Sequence, residues 1–145
     1  MSALPTEPRP LARYDGIDAM LAAARVGLDR LSPRAAFQEV ITDGAILVDI
    51  RPAAQRAAKG EVAPWLEPRV IERNVLEWRF DPRSDARVPE AAYDARVIVL
   101  CQEGYTSSLA AHALREIGVL RATDVVGGFA AWQHAGMPIL GPAPI

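Results

Sequence analysis

Two short runs of this sequence, Ala45-Ile46-Leu47-Val48-Asp49-Ile50 and Val97-Ile98-Val99-Leu100, are apolar at consecutive rather than alternating positions. A strand that reads this way has no solvent face, so it belongs inside a sheet covered on both sides. Each run is followed by a helical pattern. Pro52 to Lys59 makes a short helix before Gly60, and Thr106 to Ile117 places Leu109, Ala110, Ala113, Leu114 and Ile117 on one side before Gly118. Strand–helix alternation of this kind predicts βαβ crossovers, hence an α/β domain with a mostly parallel sheet and helices on both faces. In such sheets ligands bind beyond the carboxyl ends of the strands. The residues after Ile50, after Leu100 and after Val126 are therefore where chemistry is expected.

The rest of the chain fits around those strands. Asp15 to Arg25 recurs helically at Ile17, Met20, Leu21 and Ala24, with Asp15 as its cap. Ser32 caps a second helix that opens on Pro33, carries Phe37, Val40 and Ile41, and stops at Asp43-Gly44. Val70-Ile71 and Asp124-Val125-Val126 read as further strands, and Phe129 to His134 as a last helix. Between them Trp65, Trp78 and Phe80 occupy an irregular stretch, expected to form an apolar flap over the sheet rather than a cofactor box, with an exposed pair pointing instead to a partner surface. With 145 residues the chain has enough length for one core. The expected organisation is a proline-rich arm over residues 1–13, a single domain over 14–140, and a tail over 141–145.

Composition removes several function classes. Sixteen cations against eighteen carboxylates give a formal charge of −2, with no basic excess to attract a phosphate backbone, so nucleic acid is not an expected partner. One cysteine forbids an internal disulfide or a multi-thiolate zinc site, and His112 and His134 have no metal-motif spacing. No metal and no cofactor are expected. The apolar stretches are far shorter than the ~20 residues that cross a bilayer, and the Pro-rich amino terminus lacks a signal-peptide core. The expectation is a soluble protein of the reducing cytoplasm.

Cys101 is the residue on which function turns. It directly follows a buried strand, and Gln102-Glu103-Gly104-Tyr105-Thr106 lead from it into a helix that continues with Ser107 and Ser108. A bend this tight turns backbone N–H groups toward its centre, and Gly104 permits the angle that closes it. A sulfur held there also meets the positive end of a helix, and both effects favour thiolate over thiol. Glu103 opposes them. At roughly 7 Å and an effective dielectric of 20–80 its charge costs the thiolate about 0.6–2.4 kcal/mol. Hydrogen bonds to a charged acceptor contribute roughly 1.5–3 kcal/mol each, so several of them outweigh it. A lone cysteine in no particular setting is more often a small buried hydrophobe; this setting favours a reactive thiol.

Three segments, in order, resemble the single-domain rhodanese-like family over about Leu31 to Ile139. Leu47-Val48-Asp49-Ile50-Arg51 resembles its strand ending in Asp-x-Arg. Cys101 to Ser107 resembles its active-site loop. Asp124 to Trp132 with Gly136-Met137-Pro138-Ile139 resembles its closing Gly-Gly-x-x-x-Trp and Gly-x-Pro motif. The resemblance implies a five-stranded parallel sheet and a sulfurtransferase. It further implies that Cys101 takes a sulfane sulfur from a small donor, becomes a persulfide, and passes the sulfur to a thiol or protein acceptor. Backbone N–H groups of the loop would stabilise sulfur charge without a separate protein base.

The sequence departs from that pattern in two places. Thr106 stands where many thiosulfate-using relatives carry arginine, which removes a fork suited to a dianion; threonine there is similar to the mercaptopyruvate-using branch. Gly60-Glu61-Val62 stands where relatives often have Gly-His-Ile. Arg73 has two readings, a replacement cation for the donor or a surface arginine paired with Glu72 or Glu77. Asp49 and Arg51 are expected to order the loops, Ser107 and Ser108 to donate to sulfur or cap the helix, and Tyr105 to shape acceptor access or face solvent. His112 is expected to be solvated, Trp132 to pack on the sheet, and Gly127-Gly128 to allow close approach between the last strand and its helix. A cysteine phosphatase loop needs arginine six positions after the nucleophile, and Ser107 occupies that position. The alternative to an enzyme is a rhodanese-like binding or regulatory module with weak turnover, of which Thr106 and Glu103 would be symptoms.

Overall fold

A computed structural model describes residues 11–141. Most of the proline-rich arm (residues 1–10) and of the tail (142–145) lies outside the described residues. The elements, in chain order, begin with helix α1 (Ile17–Arg25), helix α2 (Pro33–Asp43), strand β1 (Ile46–Asp49) and helix α3 (Ala53–Lys59). Strand β2 (Glu61–Val62), strand β3 (Arg69–Val70), helix α4 (Leu76–Phe80) and strand β4 (Val97–Leu100) come next. The chain closes with helix α5 (Thr106–Glu116), strand β5 (Thr123–Asp124), helix α6 (Gly128–His134) and strand β6 (Ile139–Leu140). No helix among the described residues is long and apolar enough to cross a membrane.

Strands β3, β1, β4 and β5 form one parallel sheet in that order, with Leu47 opposite Ile98 and Val48 opposite Val99. The expected fifth strand is reduced to a single parallel bridge, Leu31 with Val125, at the β5 edge. The reason is local. Ser32 accepts a hydrogen bond from the Ala35 N–H at 3.1 Å and Pro33 takes the first helical position, so the chain leaves the sheet at once. β2 and β6 pair antiparallel as a separate two-stranded ribbon. Two residues each is too short for a periodicity to register.

The central strands alternate their side chains between two cores. Val48, Val97 and Val99 face Phe80, Ala110, Ala111 and Leu114, while Leu47, Ile98 and Leu100 face Ala36, Phe129 and Trp132. Helices α4 and α5 thus cover one face and α2 and α6 the other. Helix α5 is turned from its expected orientation. Ser107, Ser108, Ala110, Ala111 and Leu114 are its buried residues, with Leu109 and Ala113 only half-buried. The two serines can face inward because a buried carboxylate receives their hydroxyls. α1 lies against α5, buries Leu21 and Ala24, and starts from Gly16 rather than Asp15 as its cap.

The flap reading is only partly right. Phe80 is fully buried within the short helix α4, whereas Trp65 and Trp78 are 63% and 61% exposed. Trp65 still sets its edge against Phe37, with ring centroids 6.2 Å apart. Trp132 packs as expected and donates its indole N–H to the Pro138 carbonyl at 2.9 Å. Asp29, before α2, and Glu39, within it, both bind Arg96, at 2.9 and 2.8 Å. Burial raises the Asp29 carboxyl, but hydrogen bonding and charge from Arg96 outweigh it and hold that carboxyl below its ordinary range. Phe80→Ala is expected to cost about 3–5 kcal/mol by urea denaturation, as a cavity-forming change. Trp78→Ala should stay within about 0.5 kcal/mol; equal losses from the two would contradict this division of core and surface.

Candidate functional site

Three loops at the carboxyl end of the sheet converge on a cleft of about 830 Å³, lined by residues that include Arg51, Lys59, Arg73, Cys101, Thr106 and His134. Segments following β1 and β4, together with helix α6, supply most of that lining, as the strand-end rule requires. Cys101 lies at its inner side with 5% of its surface exposed. Its sulfur accepts two main-chain hydrogen bonds, from the Gly104 N–H at 3.2 Å and the Ser107 N–H at 3.3 Å. Ser107 belongs to the first turn of α5, so one of the two donors is an unpaired helix-terminal amide.

The loop needs glycine at two points. Gly104 has φ +86°, and a β-carbon there would lie 2.6 Å from the Gly127 nitrogen. Gly128 has φ +61°, and a β-carbon there would lie 2.4 Å from the Cys101 carbonyl oxygen. The close approach at these glycines is therefore between the sulfur loop and the start of α6, rather than between the last strand and its helix. Two hydrogen bonds fasten the contact: the Phe129 N–H to the Cys101 carbonyl at 2.8 Å and the Ala130 N–H to the Gln102 carbonyl at 3.0 Å.

Asp49 and Arg51 form a buried pair beneath the cleft. Arg51 donates through Nε to Asp49 Oδ1 at 3.0 Å and through Nη2 to Oδ2 at 2.8 Å, a two-pronged contact. Its remaining donors reach Gln102 Oε1 and the Gly60 carbonyl, both at 2.9 Å, and its guanidinium carbon lies 4.0 Å from the Phe129 ring centroid. One side chain thus joins the loop after β1, the end of α3, the sulfur loop and α6. Glu61, in the place of the usual histidine, instead pairs with Arg56 at 3.2 Å.

The other singled-out residues fall as follows. Arg73 lines the cleft, and its Nη1 lies 2.8 Å from Glu77 Oε1, one of the two partners expected for a surface arginine. Glu103 and Thr106 are exposed at the rim, and Tyr105 is 62% exposed. The hydroxyls of Ser107 and Ser108 bind neither sulfur nor the helix end. Both donate to Asp124 Oδ2, at 2.7 and 2.8 Å. His112 lies outside the cleft, 3.5 Å from Glu116. Among the described residues, no group of three or more His, Cys, Asp or Glu is placed to hold a metal.

Several residues at or behind the site have no sequence signal of their own. Lys59, the one lysine of the sequence, lines the cleft with Gln55, Gln133 and His134; their positions just after strands or on the closing helix were the available clue. Arg25, Arg30 and Asp124 surround the loop from behind; nothing in their spacing marks the two arginines, and Asp124 opens the closing motif without a role of its own there.

A family model for the rhodanese-like domain matches residues 34–135, and the chain belongs to that family. Its relatives include sulfurtransferases. The thiosulfate sulfurtransferase GlpE of Actinobacillus pleuropneumoniae is 31% identical over 109 residues, 75% of this chain and 90% of that protein. The adenylyltransferase and sulfurtransferase MOCS3-2 of Zea mays is 32% identical over 98 residues, 66% of this chain, and the match spans only 19% of the maize protein. Among solved structures, a Rhodopseudomonas palustris protein of unknown function, described as a possible tyrosine phosphatase, has a TM-score of 0.77 and 29% identity. That likeness covers 92% of this chain and 99% of the other. The polysulfide-sulfur transferase homodimer of Wolinella succinogenes shares the fold at a TM-score of 0.61 and 22% identity, over 85% of each chain.

The Asp49–Arg51 pair yields a stability test. Arg51→Met strands a buried carboxylate and is expected to cost about 3–5 kcal/mol. Adding Asp49→Leu should recover part of that loss; a single variant as stable as the parent in urea would contradict the geometry.

Proposed function

We propose that this protein is a sulfurtransferase or persulfide carrier in which Cys101 is the nucleophile. The observation that carries the reading is the pair of main-chain donors on Cys101 Sγ, at the edge of an open cleft that also holds Lys59 and Arg73. In the first step the thiolate attacks the sulfane sulfur of a small anionic donor. The Sγ–S bond forms as the bond between that sulfur and its leaving group breaks, and the leaving group, sulfite in the case of thiosulfate, departs with the electron pair. In the second step a thiophilic acceptor, a small thiol or a protein thiol, attacks the outer sulfur. The Sγ–S bond breaks and Cys101 regains its thiolate. With thiosulfate the charge remains on sulfur throughout, the fixed N–H groups stabilise it without reorganising, and no proton-transfer residue is required; 3-mercaptopyruvate would instead release pyruvate enolate, which takes its proton from solvent.

The relatives named as sulfurtransferases support the same reading. A phosphatase reading is disfavoured by Ser107. It occupies the position where phosphoryl oxygens need an arginine fork, and its hydroxyl is engaged with Asp124. The alternative of a binding or regulatory module has one feature in its favour, the missing loop arginine at Thr106. Lys59 answers it by bringing positive charge to the same cleft, where Arg73 lies paired with Glu77. The proposal sets this work in the reducing cytoplasm, where a lone thiol stays available.

Incubation with thiosulfate or 3-mercaptopyruvate, followed by intact-protein mass spectrometry, is expected to show a gain of one sulfur atom. Dithiothreitol should remove it, and Cys101→Ser should lack it. No adduct from either donor would favour the binding module. Thr106→Arg should lower the apparent KM for thiosulfate by roughly tenfold, the effect of one charge-assisted hydrogen bond. An unchanged or higher KM in the folded variant would count against the electrostatic argument.

A further inference from the structure

Both residues that donate to the Cys101 sulfur are themselves held from the side away from the cleft. The Gly104 carbonyl accepts from two guanidinium groups, Arg25 Nη2 at 2.7 Å and Arg30 Nη2 at 3.0 Å. Ser107 is held by its hydroxyl, which donates to Asp124 Oδ2 at 2.7 Å. The two anchors are one network. Arg30 Nε donates to Asp124 Oδ1 at 2.9 Å, Arg25 Nε donates to Ser108 Oγ at 2.9 Å, and Ser108 donates on to Asp124 at 2.8 Å. Asp124 is fully buried at the end of β5, and its carboxylate is bound by Ser107 and Ser108 at the start of α5 and by Arg30.

We propose that Arg25, Arg30 and Asp124 are positioning residues for the sulfur loop. Through them the segment that precedes residue 31 belongs to the working unit of the protein. This rests on the reading of Cys101 as the sulfur carrier. Gly104 is pinned three ways: its N–H to the sulfur, its carbonyl to two cations, and its α-carbon against Gly127. The carbonyl lies in the peptide unit next to the one that carries the N–H, so the two charge-assisted hydrogen bonds hold the Gly104 α-carbon from its far side, and the donor cannot be carried away from the sulfur with the loop without straining them. The network carries one net positive charge, two arginines against one carboxylate, beside a loop that must hold negative sulfur. None of its three charged residues lines the cleft, so they act through the loop rather than on a substrate.

Arg25 and Arg30 lie before the matched residues 34–135, so the family pattern does not account for them. They have their own supports. Arg25 ends α1, which packs on α5, and its guanidinium carbon lies 5.9 Å from the Tyr105 ring centroid. Arg30 follows Asp29, which Arg96 ties to the start of β4. The likeness to the Rhodopseudomonas palustris structure, over 92% of this chain, extends past the family match as well.

The test uses ¹⁵N-labelled full-length protein carrying Arg25→Ala, Arg25→Lys, Arg30→Ala or Asp124→Asn. Amide hydrogen exchange at Gly104 and Ser107 is read against the amides of β4, which report global opening. Sulfur uptake from thiosulfate at Cys101 is followed alongside it. Arg25→Ala and Arg30→Ala should each speed exchange at Gly104 by roughly tenfold, the loss of a charge-assisted hydrogen bond, with β4 unchanged. The maximal rate of sulfur uptake should fall while KM holds. Asp124→Asn should extend the effect to Ser107, and Arg25→Lys should restore the rate in part. Equal acceleration at β4 and Gly104, or no change at Gly104 in either arginine variant, would overturn the proposal. If the parent protein takes up no sulfur the function fails separately, and the exchange data still decide whether the network holds the loop.

Discussion

The amides of Gly104 and Ser107 reach one sulfur because the chain between them is folded onto the start of α6 and into the first turn of α5. That convergence gives the cleft a chemical character. Backbone N–H groups are small, fixed and unable to lose a proton at neutral pH, so they could serve both a thiolate and the persulfide that the proposed transfer would form. A side-chain base would have to exchange protons between the two steps. The cost falls on the surrounding structure, which must keep a seven-residue loop from relaxing outward.

Two charge clusters, each built on a buried carboxylate, meet that requirement from opposite sides. Under the cleft, Arg51 spends its donors on Asp49, Gln102 and Gly60 and lies against Phe129, so the strand ends and α6 stay in register. Behind the loop, Asp124 with Arg25 and Arg30 holds the donor residues themselves. Both clusters place a carboxylate at a strand end and let arginine forks span several elements, which suits the planar, multi-donor geometry of guanidinium. In each, breaking one partner leaves a buried charge, so the arrangement is specific as well as stable.

Much of this was readable from the residues. Strands β1 and β4 announce themselves because burial on both faces leaves only apolar side chains, and Val97–Leu100 appears with the expected limits. Cys101, Gly104 and the helix beginning at Thr106 are consecutive in sequence, so their proximity needed no long-range inference. The hidden parts are those made by distant partners. Arg25 and Arg30 look like ordinary solvated charges and Asp124 like the first residue of a short strand, and only the fold joins them and the sulfur loop across separations of 74 to 94 residues. Helix α5 was mis-rotated on paper for the same reason: Ser107 and Ser108 count as polar until a buried acceptor is known. The fifth strand failed because a capped helix follows Leu31 immediately, and β2 and β6 are too short to show a period.

The central claim is that the folded protein activates Cys101 despite enclosing it, and alkylation of the thiol is the most direct measure of that. The rate with iodoacetamide at pH 7 should be compared between the folded chain and the same chain unfolded in urea. Since Cys101 is the sole cysteine, every adduct reports this site. A faster reaction in the folded state is the expected result, because two main-chain donors are aimed at the sulfur and the cleft admits the reagent. A folded-state rate well below the unfolded one would mark Cys101 as a buried packing residue and contradict the account.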